Sequence, residues 1–358
     1  MESVLLAGAF GQRNPGDDAL LDAFVRELPG WRCVATSCEP ARTRARHGVG
    51  AVQSRDPLAV VRTLLRCDAL VIAGGTVFKT LPASTGRPPR ALLRNALALT
   101  LLARMRGRPV ALLGVGAGRL DDPGAQRLAR TLVRSADLLV VRDEESAETL
   151  AAIGAPAPFR VGADAAWGLL DPLPGPRDAR RDSGDAIRGD AIVVALGRHG
   201  GGSDLVARLA DALAAVAGGS PVADRGAVGA DRRAVDADRG VLVRIQPWQV
   251  GDDAAGQDDE LHAHVLATAL RRRGCRAEVV PPPASLPDAR DLVVGARLVV
   301  ATRFHATVVA AAAGVPFLAL AHEQKLAGLA RRLGQPAVRA DAPAPELARA
   351  LADALAQP

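Results

Sequence analysis

Tyrosine is missing from this chain of 358 residues, lysine occurs only as Lys79 and Lys325, and aromatic residues together make up 3%. So few flat rings argue against the stacking platforms that grip unpaired bases or sugar faces. The four cysteines, Cys33, Cys38, Cys67 and Cys275, fall in no zinc-ligand spacing. A chain this long needs no disulfide staples, so they read as reduced core thiols. No uninterrupted apolar run reaches the ~20 residues of a membrane helix, and MESVLLAGAF carries no positive stretch ahead of its apolar residues. The expected location is cytoplasmic, with at most peripheral contact at the inner membrane face. The formal charge of +6 comes almost wholly from arginine. Those arginines are spread among acids without the dense basic run of a nucleic-acid arm. No nucleic-acid partner is expected, and the excess charge favours anionic substrates and, weakly, a lipid surface.

The hydrophobic share of 49% and the charged share of 23% are those of a globular protein, and the length predicts two domains. Short Val/Leu/Ala runs alternate with helical patterns, the signature of βαβ units around parallel sheets. SVLLAGA, DALVIAGG, PVALLGVG and DLLVVRD read as strands of a first sheet. AIVVALG, GVLVRIQ, CRAEVV, ARLVVAT and PFLALA read as strands of a second. Between them the chain turns polar and Pro/Gly-broken. The expected bounds are a first domain over 1–172, a linker over 173–190 and a second domain over 191–340 with a mobile insertion at 218–240. A C-terminal helix within 341–358 is expected to cross back to the first domain.

In open parallel sheets ligands sit beyond the carboxyl ends of the strands, and four such junctions stand out. GAFGQRNPGDDALL leaves the first strand through Gly11, Asn14, Gly16, Asp17 and Asp18, a composition that suits a helix cap or the binding of sugar hydroxyls. VIAGGTVFKT places Gly74, Gly75 and Thr76 where backbone amides hold an anion or simply turn the chain. GVGAGRLDD offers Gly114, Gly116 and Gly118, without the spacing of a dinucleotide fingerprint. ATRFHATVVAAAAG sets Arg303 at a strand end and His305 in the first turn of a helix, where the dipole favours an anion. LALAHEQK would bring His322 and Lys325 to the same edge, and ALGRHGGG adds Arg198 and His199. Solvation or a carboxylate partner is the competing explanation for each cation taken singly. His262 and His264, two apart on a predicted helix, point to different faces. No metal site is expected.

Taken in order, these segments resemble the polysaccharide pyruvyl transferase family. GAFGQRNPGDDALL looks like its N-terminal Asn-x-Gly-Asp-Glu motif and VIAGGTVF like its glycine-rich strand end. The block running from GVGAGRLDD to RDEESAETL ends in a similar Arg-Asp-x-x-Ser. GADAAWGLLD resembles the Asp-containing close of the first domain, and TRFHATVV its Arg-Leu-His helix start. Ala73 and Thr80 stand where the family tends to have Gly and an acid, Val115 and Arg119 where it has Gln and Pro, and AHEQK replaces a Tyr-Asp-Pro-Lys. The resemblance implies an α/β protein of two Rossmann-like domains in a GT-B-like arrangement with an interdomain cleft. It also implies phosphoenolpyruvate as donor, a glycan diol, lipid-linked in some relatives, as acceptor, and no cofactor.

On that basis the expected roles are His305 as general acid, Arg303 on the donor phosphate or carboxylate, and Arg198, His322 and Lys325 completing the anion pocket. Asn14, Gly16, Gly74, Gly75, Thr76 and Gly116 would face the acceptor, with Asp17 as a hydroxyl base. Two other readings fit the sequence. One is a GT-B glycosyltransferase using a nucleotide sugar, with Glu323 near the ribose. The other is a non-catalytic glycan- or anion-binding paralogue, motivated by the altered positions 73, 80 and 322.

Overall fold

The computed structural model describes residues 1–170, 191–197, 202–217, 240–251 and 259–357. The linker expected over 173–190 and nearly all of the insertion expected over 218–240 lie outside them. So do Arg198 and His199. The chain divides into two compact units, Met1–Leu169 and Leu170–Pro358.

In the first unit the strands are β1 (Ser3–Phe10), β2 (Arg32–Ser37), β3 (Gly50–Gln53), β4 (Ala69–Ala73), β5 (Thr76–Phe78), β6 (Val110–Ala117), β7 (Leu138–Val141) and β8 (Arg160–Val161). They lie in the order β3-β2-β1-β4-β6-β7-β8, with β5 against β6, and every pairing is parallel. β4 is buried along its whole length because helices cover both faces of a parallel sheet, which is why it reads as a continuous apolar run. β2 is disguised: its Thr36 and Ser37 are buried, and their hydroxyls are satisfied by the Gly8 carbonyl and by Thr43.

In the second unit the strands are β9 (Ala191–Ala195), β10 (Leu242–Ile245), β11 (Arg276–Val279), β12 (Leu298–Ala301), β13 (Phe317–Ala321) and β14 (Ala337–Arg339), ordered β11-β10-β9-β12-β13-β14 and again all parallel. This is the doubly wound order, and each unit reverses its winding once, between β1 and β4 and between β9 and β12. The C-terminal helix, Ala344–Leu355, buries Leu347, Leu351 and Ala354 in the second unit's own core, packed on helix Gly202–Ala217. The helix expected to cross back to the first domain thus spends its apolar stripe on the second unit. Cys33, Cys67 and Cys275 are buried, and loss of solvent pushes their thiols up. Among the described residues no helix is long and apolar enough to cross a membrane.

Candidate functional site

Beyond the carboxyl ends of β9 and β12, the Gly197 amide donates to Thr302 Oγ1 at 2.6 Å and clamps the two strand ends at the winding reversal. Arg303 follows in extended conformation as the N-cap of helix Phe304–Ala312. Its guanidinium folds back over Gly197, where an added Cβ would lie 2.5 Å from Nε. There Nε and Nη2 donate to Asp259 Oδ2 and Oδ1 at 3.0 and 2.5 Å, and Nη1 donates to Gln249 Oε1 at 3.2 Å. The Asp259 side chain is 0% exposed, and its Oδ2 also accepts the amides of Trp248 and Gln249 at 3.2 and 3.0 Å.

Arg303 is therefore not a naked cation awaiting a substrate, as expected, but one member of a forked ion pair. With 19% of its side chain exposed, a guanidinium left uncompensated would cost several kcal/mol, and Asp259 removes that cost. Nothing in the sequence singles out Asp259. It is one acid in the stretch DDAAGQDDE, and 44 residues separate it from its partner.

His305 lies half-buried in the first helical turn with its ring edge-on to Phe304, centroids 5.4 Å apart. Because Ala301 pairs with Ala319 across β12 and β13, helix Gln324–Arg332 starts beside helix Phe304–Ala312. Lys325 Nζ stands 5.7 Å from the Phe304 ring centroid and 2.8 Å from Glu323 Oε2. For His322, desolvation pushes the imidazole down to about 4, opposed by Glu323 and a backbone hydrogen bond to Leu320 and assisted by Lys325 and Arg303. By surface area His322 is exposed, so solvent screens much of what the shift contributes to stability. At pH 7 this ring is neutral, so His322 is corrected from a cation to a neutral hydrogen-bonding group. The fold thus brings Arg303, His305, His322 and Lys325 to one sheet edge, with Arg303 and Lys325 each offset by a carboxylate. Neither that helix nor its neighbour begins with a side-chain cap, so the positive ends of both dipoles face the same edge.

In the first unit the junctions after β1 and β4 have structural duties. Asn14 caps helix Pro15–Glu27, accepting from the Gly16 amide at 3.1 Å and donating through Nδ2 to Asp17 Oδ2 at 2.9 Å. That cap accounts for Asn14 and Gly16 without a ligand. Arg13, just ahead of it, holds φ 54°, a left-handed conformation disfavoured away from glycine. Gly74 and Gly75 take φ 63° and 72°, and the Gly74 amide donates to the Leu113 carbonyl, so it is engaged within the sheet.

Gly116 and Thr76, expected at the acceptor, belong instead to a buried network around Arg142, whose side chain is 3% exposed. Arg142 Nε donates to Asp143 Oδ2 at 3.1 Å and Nη2 to Thr76 Oγ1 at 3.0 Å, while Nη1 lies 3.6 Å from Asp164 Oδ2. A Cβ on Gly116 would sit 2.5 Å from that guanidinium. Asp143 caps helix Glu144–Ala152 through the Ser146 amide at 2.8 Å, and Ser146 Oγ accepts from the Ala117 amide at 2.8 Å. The Arg-Asp-x-x-Ser block thus ties the ends of β5, β6 and β7 to the segment carrying Asp164. The motif was legible, but its residues do not appear among the expected site groups. Among the described residues no three His, Cys, Asp or Glu side chains gather as a metal site.

The family model for polysaccharide pyruvyl transferase matches residues 14–324. The chain belongs to that family. The match opens on Asn14 and takes in Arg142, Asp164, Asp259, Arg303, His305 and His322, while Lys325 lies one residue past its end. No curated protein matches the chain significantly. Solved structures similar to this family member include Acinetobacter baumannii MurG, at 16% identity and TM-score 0.56 over 99% of this chain and 90% of that one. S. aureus MnaA with UDP gives 10% and 0.60 over 100% and 88%. Anabaena Alr3699/HepE with UDP and glucose gives 16% and 0.57 over 100% and 90%. At such identities the likeness speaks for the fold alone, the paired Rossmann-like units of the GT-B class expected from sequence.

Proposed function

We propose that this transferase moves the pyruvyl group of phosphoenolpyruvate onto two hydroxyls of a glycan as a ketal and releases phosphate. The observation that carries the reading is the family match across both units, which includes the Arg303–His305 helix start. The chemistry has four parts. A proton is delivered to the enol methylene. One sugar hydroxyl attacks the resulting oxocarbenium-like carbon. The bond to the phosphate oxygen breaks, and the second hydroxyl closes the ring. Of the two hydroxyl protons released, one balances the proton given to the methylene and the other leaves with phosphate. No redox or metal step is needed.

His305, in the first turn of its helix, is the proposed proton donor, since a histidine beside bound phosphate has its charged form favoured. Arg303 acts as an oriented donor whose plane is fixed by Asp259. Lys325 pairs with a partly exposed Glu323, an ion pair for which a bound dianion can compete. Arg198 would complete the pocket, and His322 would contribute a neutral imidazole. On the first unit, Asp17 is the proposed hydroxyl base and the Gly74–Gly75 turn the acceptor-facing backbone. His305→Ala should abolish acceptor-dependent phosphate release while phosphoenolpyruvate still binds, and unchanged turnover would discard the role.

The nucleotide-sugar reading draws on the UDP bound in two of the similar structures. It needs the Glu323 carboxylate for a ribose, whereas that group pairs with Lys325. Binding of a UDP-sugar with none of phosphoenolpyruvate would favour it.

A further inference from the structure

Charge is distributed less evenly than the whole-chain composition suggests. Between Ala69 and Leu120 there is no acid at all, although 39 acids in 358 residues would place about six in a segment this long. The same segment holds Lys79 and seven arginines, so it alone carries more than the net +6 of the chain.

Its centre is helix Ala91–Met105, which buries Leu93, Ala96, Leu97, Thr100 and Ala103. On the opposite side Arg94, Ala98, Leu101 and Met105 recur at helical spacing and are all exposed, Met105 at 75% and Leu101 at 42%. Helix Pro57–Arg66, which touches this helix, adds exposed Leu58 and Leu65. Arg104 and Arg108 are offset by Asp137 and Asp68. Arg94 and Arg106 have no carboxylate partner among the described residues.

We propose that this face docks on an anionic lipid bilayer, the apolar side chains entering the headgroup layer and the arginines meeting lipid phosphates. The charge pattern selects this occupant. A second copy of the chain would set the unpaired Arg94 and Arg106 against their own like charge. A narrow apolar stripe with a cationic border suits a deformable surface of opposite sign. The inference goes beyond the transfer reaction and stands or falls without it.

Vesicle co-sedimentation of the full chain tests it, with phosphatidylcholine alone or mixed with phosphatidylglycerol. Pelleting should be at least roughly thirtyfold stronger with the anionic vesicles, at about 1 kcal/mol for each of the two unpaired arginines, and should fall several-fold from low to physiological salt. Arg94→Gln/Arg106→Gln should weaken it roughly thirtyfold, at the usual contribution of a basic residue near a charged membrane. Leu101→Ser/Met105→Ser should also release the protein, with the melting temperature of both pairs unchanged. Absent binding, equal binding to neutral vesicles, or binding untouched by either pair overturns the proposal. If the substitutions instead convert a dimer to a monomer and spare vesicle binding, the face joins two copies and the proposal is wrong.

Discussion

Asp259 accepts four hydrogen bonds while wholly out of contact with solvent, two from backbone amides and two from Arg303. Removing one partner of such a pair strands the other, so Asp259→Ala should destabilise the protein by about 3–5 kcal/mol. The double change Asp259→Leu/Arg303→Met should cost less than either single truncation, which a denaturant-unfolding cycle will read directly. Flanking apolar residues made Arg303 conspicuous in the sequence, but burial and pairing decide what it does, and these depend on chain crossings that no local pattern encodes. His322 carries a pH signature. Its folded pKa of about 4 lies below the ordinary value of 6.5, so between these limits the unfolded chain binds more protons. The stability it contributes is therefore complete above pH 6.5 and is lost as pH falls toward 4. His322→Gln should flatten the melting-temperature profile in that window and leave it unchanged above pH 7.

At the scale of elements, the strands most plainly legible in the sequence include those buried along their whole length, such as β4, β9 and β12, because a short continuous apolar run fits a strand covered on both faces. The strands left unread were the short β3, β8 and β14 at sheet edges, the three-residue β5 off the main strand order, and β2, whose buried hydroxyls imitate a polar segment. Glycines were legible as unusual but not as to cause. Gly114 accompanies an irregular register in β6, while Gly116 makes room for Arg142. Gly116→Ala should push the Arg142 guanidinium off Thr76 and destabilise the protein by about 1–3 kcal/mol, measured as a lower denaturant midpoint. Asn14→Ala should cost about 1 kcal/mol through the lost cap, far less than a binding residue would cost in activity.

Across the whole molecule, one topology occurs twice, and both times the segments that drew attention in the sequence flank the reversal of strand order. That much follows from parallel-sheet geometry, which collects loops from many parts of the chain at one edge. Ligand specificity does not follow from it. A donor present at a hundred times its dissociation constant should add about 2.7 kcal/mol to stability. Phosphoenolpyruvate should therefore raise the melting temperature and UDP should not, and the reverse result would transfer the protein to the nucleotide-sugar reading.

The carboxylate that holds Arg303 is itself moored to the backbone of Trp248 and Gln249, beside an indole sealed inside the second unit. The turn after β10 consequently works as an anchor bolt for the opening of helix Phe304–Ala312. Any slack introduced there, even by a substitution remote from every reacting atom, will reach the guanidinium as a rotation of its plane.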